Sequence, residues 1–231
     1  MGPVMLWVGQ LGIVDGEARE ESPWVGVYPE PSRSEQQPVD LYLVVEPALP
    51  DSEQYCAQLA AAIGSTFHER RSSLTGGLLR ALQDAHQDLH EWNRKSMKEH
   101  RVAAGVSCLA VRGREAYLAQ VAPACVLELS QGVVSRRLPR LPDACEPLGL
   151  HEEFWPDFSR YELSNGDRLL LVTTALADAI PDEEWGEMLR LPPPEVLSAV
   201  YRRVLQQGEP NSGGALLAAA EPALRQSSGQ A

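Results

Sequence analysis

Leu163–Leu176 reads LSNGDRLLLVTTAL. Asn165-Gly166 tolerates the backbone a tight turn requires, and the apolar run Arg168–Thr173 that follows predicts a strand. With Ser159–Leu163 on the other side of the turn, the stretch predicts a β-hairpin. Upstream, Ala103–Val111, Glu115–Val121, Cys125–Leu129 and Gly132–Leu138 are short apolar or β-branched segments. They are broken at Arg112-Gly113, Ala122-Pro123 and Gln131-Gly132, which predicts an antiparallel meander. Downstream, Pro181–Leu191 and Pro194–Gln207 read as helices, the second opening on a proline that a first turn tolerates. Ala215–Ala220 reads as a last strand.

Nearer the N-terminus, Val4–Val14 and Asp40–Glu46 are strand-like, and the near-continuous apolar run of the second predicts burial on both faces. Pro29–Pro38 (PEPSRSEQQP) and the proline-rich Leu138–Pro156 read as connections. Asp51 or Ser52 is placed to cap a helix to about Arg71, and Ser73 one to about Lys98. In the latter, Leu78, Leu82, Ala85, Leu89 and Trp92 recur at helical spacing and predict one buried face. The class is α+β, helices packed on antiparallel sheets, with one domain over residues 1–221 and a flexible polar tail over 222–231.

The 231 residues include 20 Lys and Arg against 32 Asp and Glu, a net charge of −12, with 44% hydrophobic residues to fill a core. Scattered basic residues in an acidic chain disfavour nucleic acid and anionic membranes alike. Neither a long apolar span nor a basic, apolar leader is present, so the expected location is the cytoplasm. The 4 cysteines, Cys56, Cys108, Cys125 and Cys145, form no CxxC pair. That pattern suits free thiols in a reducing compartment.

Several strings in this order resemble the metal-dependent serine/threonine protein phosphatases of the PPM (type 2C) family. Leu163–Leu176 is similar to the family's Gly-Asp turn and strand ending in Ser-Asp-Gly-Leu, with Thr173-Thr174-Ala175-Leu176 in the latter place. Val121–Gly132 (VAPACVLELSQG) resembles the Val-Gly-Asp-Ser-Arg turn, and Leu41–Ala48 (LYLVVEPA) the strand ending in Asp-Gly. Arg19–Trp24 (REESPW) resembles Arg-x-x-Asn-Glu-Asp, and Glu209–Gly213 (EPNSG) the late Asp-Asn motif. The resemblance spans roughly residues 4–220. It implies an α-β-β-α sandwich of two antiparallel sheets, and in the family aspartates at these motif ends hold two Mg²⁺ or Mn²⁺ ions that activate a bridging water.

The aspartate positions implied by the resemblance hold Trp24, Glu46, Thr174 and Pro210, and Pro123 stands in the Gly-Asp-Ser triplet. Hard cations need several carboxylate oxygens, and one carboxylate survives. The implied protein is a pseudophosphatase without catalytic residues or metal cofactor. It would bind a protein partner, a phosphoprotein, a kinase or a phosphatase; the oligomeric state stays open. Arg19 matches the family's phosphate-binding arginine, although beside Glu17, Glu20 and Glu21 it also reads as a solvated charge. Two alternatives stand beside this reading. One is an active phosphatase with a rearranged or single Mg²⁺ or Mn²⁺ site, Glu46 acting with Glu20, Glu21 or Asp167; the other is a structural or assembly domain whose cleft Trp24 and Pro210 fill.

Other candidates have simpler explanations. His86 and His90, spaced for a shared metal, flank the apolar stripe and read as a solvated face. Cys108 and Cys125 lie in apolar strands and read as inert. Gly76-Gly77 lacks a phosphate-loop ending and suits helix packing. Asp178, Asp182, Glu183, Glu184 and Glu187 suit a helix N-terminus as well as a cation. Trp155 and Trp185 read equally as partner anchors or as core.

Overall fold

A computed structural model of the chain describes residues 4–19, 21–30, 37–70, 73–140 and 146–222. In order, the elements are β1 (Val4–Val14), β2 (Glu17–Arg19), β3 (Val25–Tyr28), β4 (Asp40–Pro47), a 3-10 turn (Pro50–Tyr55), α1 (Cys56–Arg70) and α2 (Leu74–Lys95). After a second 3-10 turn (Lys98–His100) come β5 (Ala104–Arg112), β6 (Glu115–Val121), β7 (Cys125–Ser130), β8 (Val133–Arg137), β9 (Asp157–Glu162) and β10 (Arg168–Val172). Three helices, α3 (Thr174–Asp178), α4 (Asp182–Met188) and α5 (Pro193–Gln207), precede β11 (Gly213–Pro222).

The strands form a six-stranded sheet, β2-β1-β11-β10-β7-β8, and a five-stranded sheet, β3-β4-β5-β6-β9. Successive side chains of a strand point to opposite faces, so a strand apolar at consecutive positions is covered on both sides. In β4, Leu41, Leu43 and Val45 pack with Ile63 and Phe67 of α1 and Leu78 and Leu82 of α2. The alternate residues Tyr42 and Val44 meet Val126, Leu169, Leu171 and Leu216 of the opposite sheet. Beyond that sheet, Leu170, Val172 and Leu217 pack with Trp185, Val196 and Val200 of α4 and α5. The result is the expected α-β-β-α sandwich of antiparallel sheets.

The helix start at Ser73 is as expected: its Oγ accepts from the Gly76 amide at 3.1 Å. At Asp51 and Ser52 the expectation is corrected. Neither caps a helix; Leu49 precedes the 3-10 turn, and the buried Ser52 Oγ accepts from the Ala103 amide at 2.9 Å. The meander is also corrected. β5–β6 belongs to one sheet and β7–β8 to the other, the chain crossing at Ala122-Pro123. The Asn165-Gly166 turn likewise joins two sheets, because β9 pairs with β6 while β10 pairs with β7 and β11. Strands apolar on both faces carry no signal of which sheet they enter. Trp92 is not in the buried face: it is 53% exposed, its ring 6.3 Å from that of Tyr55. The expected tail, apart from Pro222, Cys145 and most of the Pro29–Pro38 connection lie outside the described residues.

Gly105 sits where β5 passes the crossing segment, with no room for a Cβ against the Pro123 carbonyl. Both partners are backbone, so neither can yield cheaply. Gly105→Ala is expected to cost about 3 kcal/mol, lowering Tm by roughly 6–12 °C in a thermal melt.

Candidate functional site

Glu46 shares the inter-sheet side of β4 with Tyr42 and Val44, at the strand's end, and is 5% exposed. A carboxylate so placed needs donors. Its Oε2 accepts from the Thr174 amide at 2.8 Å and the Thr174 hydroxyl at 2.7 Å, a link from one sheet to the start of α3 beyond the other. Thr173 fixes that start: its amide donates to the Gly214 carbonyl at 2.9 Å, and its Oγ1 accepts from the Gly214 amide at 3.3 Å.

The other quoted positions gather around this link. The Trp24 carbonyl accepts from the Val45 amide at 2.7 Å, and the side chain, 2% exposed, lies against Gly214. Pro123 abuts Gly105, the residue paired with Glu46. Pro210 is in the loop entering β11, which the Gly16 amide holds by donating to the Asn211 carbonyl at 2.8 Å. Trp24, Glu46, Pro123, Thr174 and Pro210, far apart in sequence, thus sit at one end of the sandwich.

Burial pushes the Glu46 carboxyl up to about 7; the Thr174 bonds pull it down, and the charge of Asp178 adds to the rise. Asp178 is paired with Arg136, which also reaches Asp182 at 3.4 Å. Nearby, burial raises the Cys125 thiol to about 11.

This donor set does not fit a pair of Mg²⁺ or Mn²⁺ ions. Two hard divalent cations require a shell of carboxylate oxygens. Here one carboxylate has an oxygen committed to Thr174, and Trp24, Pro123 and Pro210 offer no side-chain oxygen. Among the described residues, no group of three or more His, Cys, Asp or Glu side chains is placed to hold an ion.

The remaining candidates scatter. Arg19, on β2, is exposed and donates to Glu17 at 2.7 Å. Asp167 lies at the opposite end of β10, roughly 23 Å of extended chain from Thr174, and accepts from Ser130 Oγ at 3.0 Å and the Ser164 amide at 2.8 Å. It cannot join Glu46, which corrects that part of the single-metal alternative; Glu21 is exposed, and Glu20 lies outside the described residues. His86 is 6% exposed, correcting the solvated-face reading, because the segment before β9 folds over that side of α2. Cys108 is buried, and burial raises its thiol pKa. Gly77 is buried within α2. The acidic cluster is drawn into ion pairs, Arg136 with Asp178 and Asp182 and Arg203 with Glu184. Trp185 is core and Trp155 is 61% exposed. Thr173, Gly105 and Gly214 escaped sequence reasoning, because their roles arise from contacts between distant segments.

The raised Glu46 pKa has a definite sign in linkage. Between its unfolded value, near 4.5, and about 7, the folded state holds a proton that the unfolded state has released, so stability falls as pH rises through that window. Glu46→Gln keeps an oxygen for Thr174 and removes the titration. Relative to wild type, the variant is expected to gain roughly 2–3 kcal/mol between pH 5 and pH 8 in urea melts. A constant difference would show that Glu46 has an ordinary pKa.

No protein-family model matches the sequence, and no curated protein matches it. Solved structures do match. PppA, a key regulatory component of T6SS in Pseudomonas aeruginosa, superposes with a TM-score of 0.72 at 16% identity, covering 95% of this chain and 100% of that one. The S. agalactiae serine/threonine phosphatase gives 0.75 at 13% identity, over 93% of this chain and 99% of its own. The catalytic domain of the serine/threonine phosphatase PstP, in complex with 2 manganese ions, gives 0.71 at 16%, over 94% and 99%. Two antiparallel sheets flanked by helices match these structures, and the chain has the fold of the PPM (type 2C) serine/threonine phosphatases.

Proposed function

We propose that this chain is a catalytically inactive PPM-fold protein, a pseudophosphatase that acts by binding in serine/threonine phosphorylation signalling. Its partner in this reading is a phosphoprotein, a kinase or a phosphatase, and it needs no metal cofactor. One observation carries the proposal: at the end of the sandwich where the motif positions converge, the surviving carboxylate is occupied by Thr174, the nearby Asp178 is paired with Arg136, and among the described residues no group of three or more acids, histidines or cysteines is placed to hold an ion. Without bound cations, water there is not acidified and a phosphoryl group finds no neutralising charge. A regulatory role for a protein of this fold has a parallel in PppA. Trp24, buried with Leu43 and Val45 of β4 in the core beneath α1 and α2, offers no ligand to that end, which further favours action through outer surfaces. The cytoplasmic placement belongs to the same reading. It is supported by Cys56, Cys108 and Cys125, buried and unpaired, and by the lack, among the described residues, of a helix long and apolar enough to cross a membrane.

Turnover of an aryl phosphate, measured across Mn²⁺ and Mg²⁺ titrations, tests the proposal. The expected result is no turnover above background at any metal concentration. Metal-dependent turnover abolished by Glu46→Ala would overturn it in favour of a rebuilt site around Glu46. In the binding reading Arg19 is the cation offered to a partner's phosphate, exchanging its exposed Glu17 for it. Calorimetry with a phosphoserine peptide is expected to show binding that Arg19→Ala weakens by about tenfold; equal heats in both proteins would remove that assignment.

A further inference from the structure

A cleft of about 670 Å³ lies between α2 and the segment Glu152–Pro156, away from the residues around Glu46. His86 lines it. The Nδ1 of His86 accepts from the Gly149 amide at 3.3 Å, so in the neutral ring Nε2 carries the proton. That nitrogen is buried, with the backbone of His151 and Glu152 beside the ring. The same tautomer leaves His86 no lone pair for a metal, and the His86–His90 spacing is not a cation site.

The walls and rim define what fits. The Phe154 ring stacks on His86, centroids 4.6 Å apart and planes at 17°. Trp155, 61% exposed, and Leu79, 36% exposed, present apolar surface at the mouth. Asp84, Glu152 and Glu153 are among the lining residues, and none of the lining residues is Lys or Arg. A negative rim repels phosphates, acidic peptides and anionic lipid, and attracts a cation that can also lie on an indole face.

We propose that this cleft docks a short basic segment of a protein partner, an apolar side chain entering beside Phe154 and Trp155 and an adjacent Arg or Lys meeting Glu152 and Glu153. The docking does not depend on whether the Glu46 end catalyses. The apolar anchor supplies area at a partly desolvated point, and the carboxylates supply selection for charge.

The test is an NMR titration of the full chain with the peptide acetyl-Gly-Leu-Arg-Lys-Gly-amide, beside acetyl-Gly-Leu-Glu-Glu-Gly-amide. The basic peptide is expected to shift the His86 ring and Trp155 indole resonances saturably at millimolar concentration, and the acidic one to leave them unmoved. Glu152→Gln with Glu153→Gln is expected to weaken binding about fivefold, and Trp155→Ala about tenfold. These residues are exposed, so thermal melts should show the variants folded. No saturable shift, equal affinity for both peptides, or affinity unchanged in Trp155→Ala would each overturn the proposal.

Discussion

The packing of one sheet on the other through alternate residues of the central strands sets the terms for everything else in this molecule. Leu41 to Glu46 are all buried, half of them against helices and half against the opposite sheet. In such a layer a polar side chain is tolerated only where a partner awaits it, because a buried ion without donors costs several kcal/mol. Glu46 meets that condition at the strand's end, where Thr174 begins a helix within reach. The same link ties the two sheets together at a point where their apolar contact is running out.

Seen from this end of the sandwich, the residues at positions that resemble metal-binding ones make structural contacts. Trp24 fills the core beneath α1 and α2, Pro123 presses its backbone on Gly105, and Thr174 spends its amide and hydroxyl on Glu46. On the opposite side of the six-stranded sheet, the buried Arg168 donates to the carbonyls of Leu189 and Leu191, tying the loop after α4 to β10. The buried Glu46 and Arg168 both close connections between layers.

How much of this was legible depended on the range of the physics involved. Local signals read well: Ser73 as a cap, Asn165-Gly166 as a turn, and the double-sided burial of Asp40–Glu46 all follow from neighbours in sequence. The convergence of Trp24, Glu46, Thr174, Pro123 and Pro210 was visible only because motif order resembled a known family; nothing in spacing alone brings position 24 to position 214. Sheet membership was not legible, since β6 and β7 follow each other closely yet enter different sheets. The short β2 and β3 and the five-residue α3 were missed because their strength comes from pairing and packing rather than from pattern. His86 was misplaced for a similar reason: the segment carrying Phe154 comes from more than 60 residues downstream.

The Glu46–Thr174 link also bears on evolutionary reversibility. Placing an aspartate at position 174, where the resemblance puts one, would also remove the hydroxyl that now answers Glu46, setting two acids against each other in a poorly solvated space. Like charges so placed cannot both ionise, so that single step would weaken the fold before it could attract a cation. Trp24 would have to give way as well, opening a void in the core beneath α1 and α2. If the chain is the pseudophosphatase proposed above, a path from this sequence to a metal-binding one crosses a valley of lower stability, and several substitutions must arrive together to traverse it.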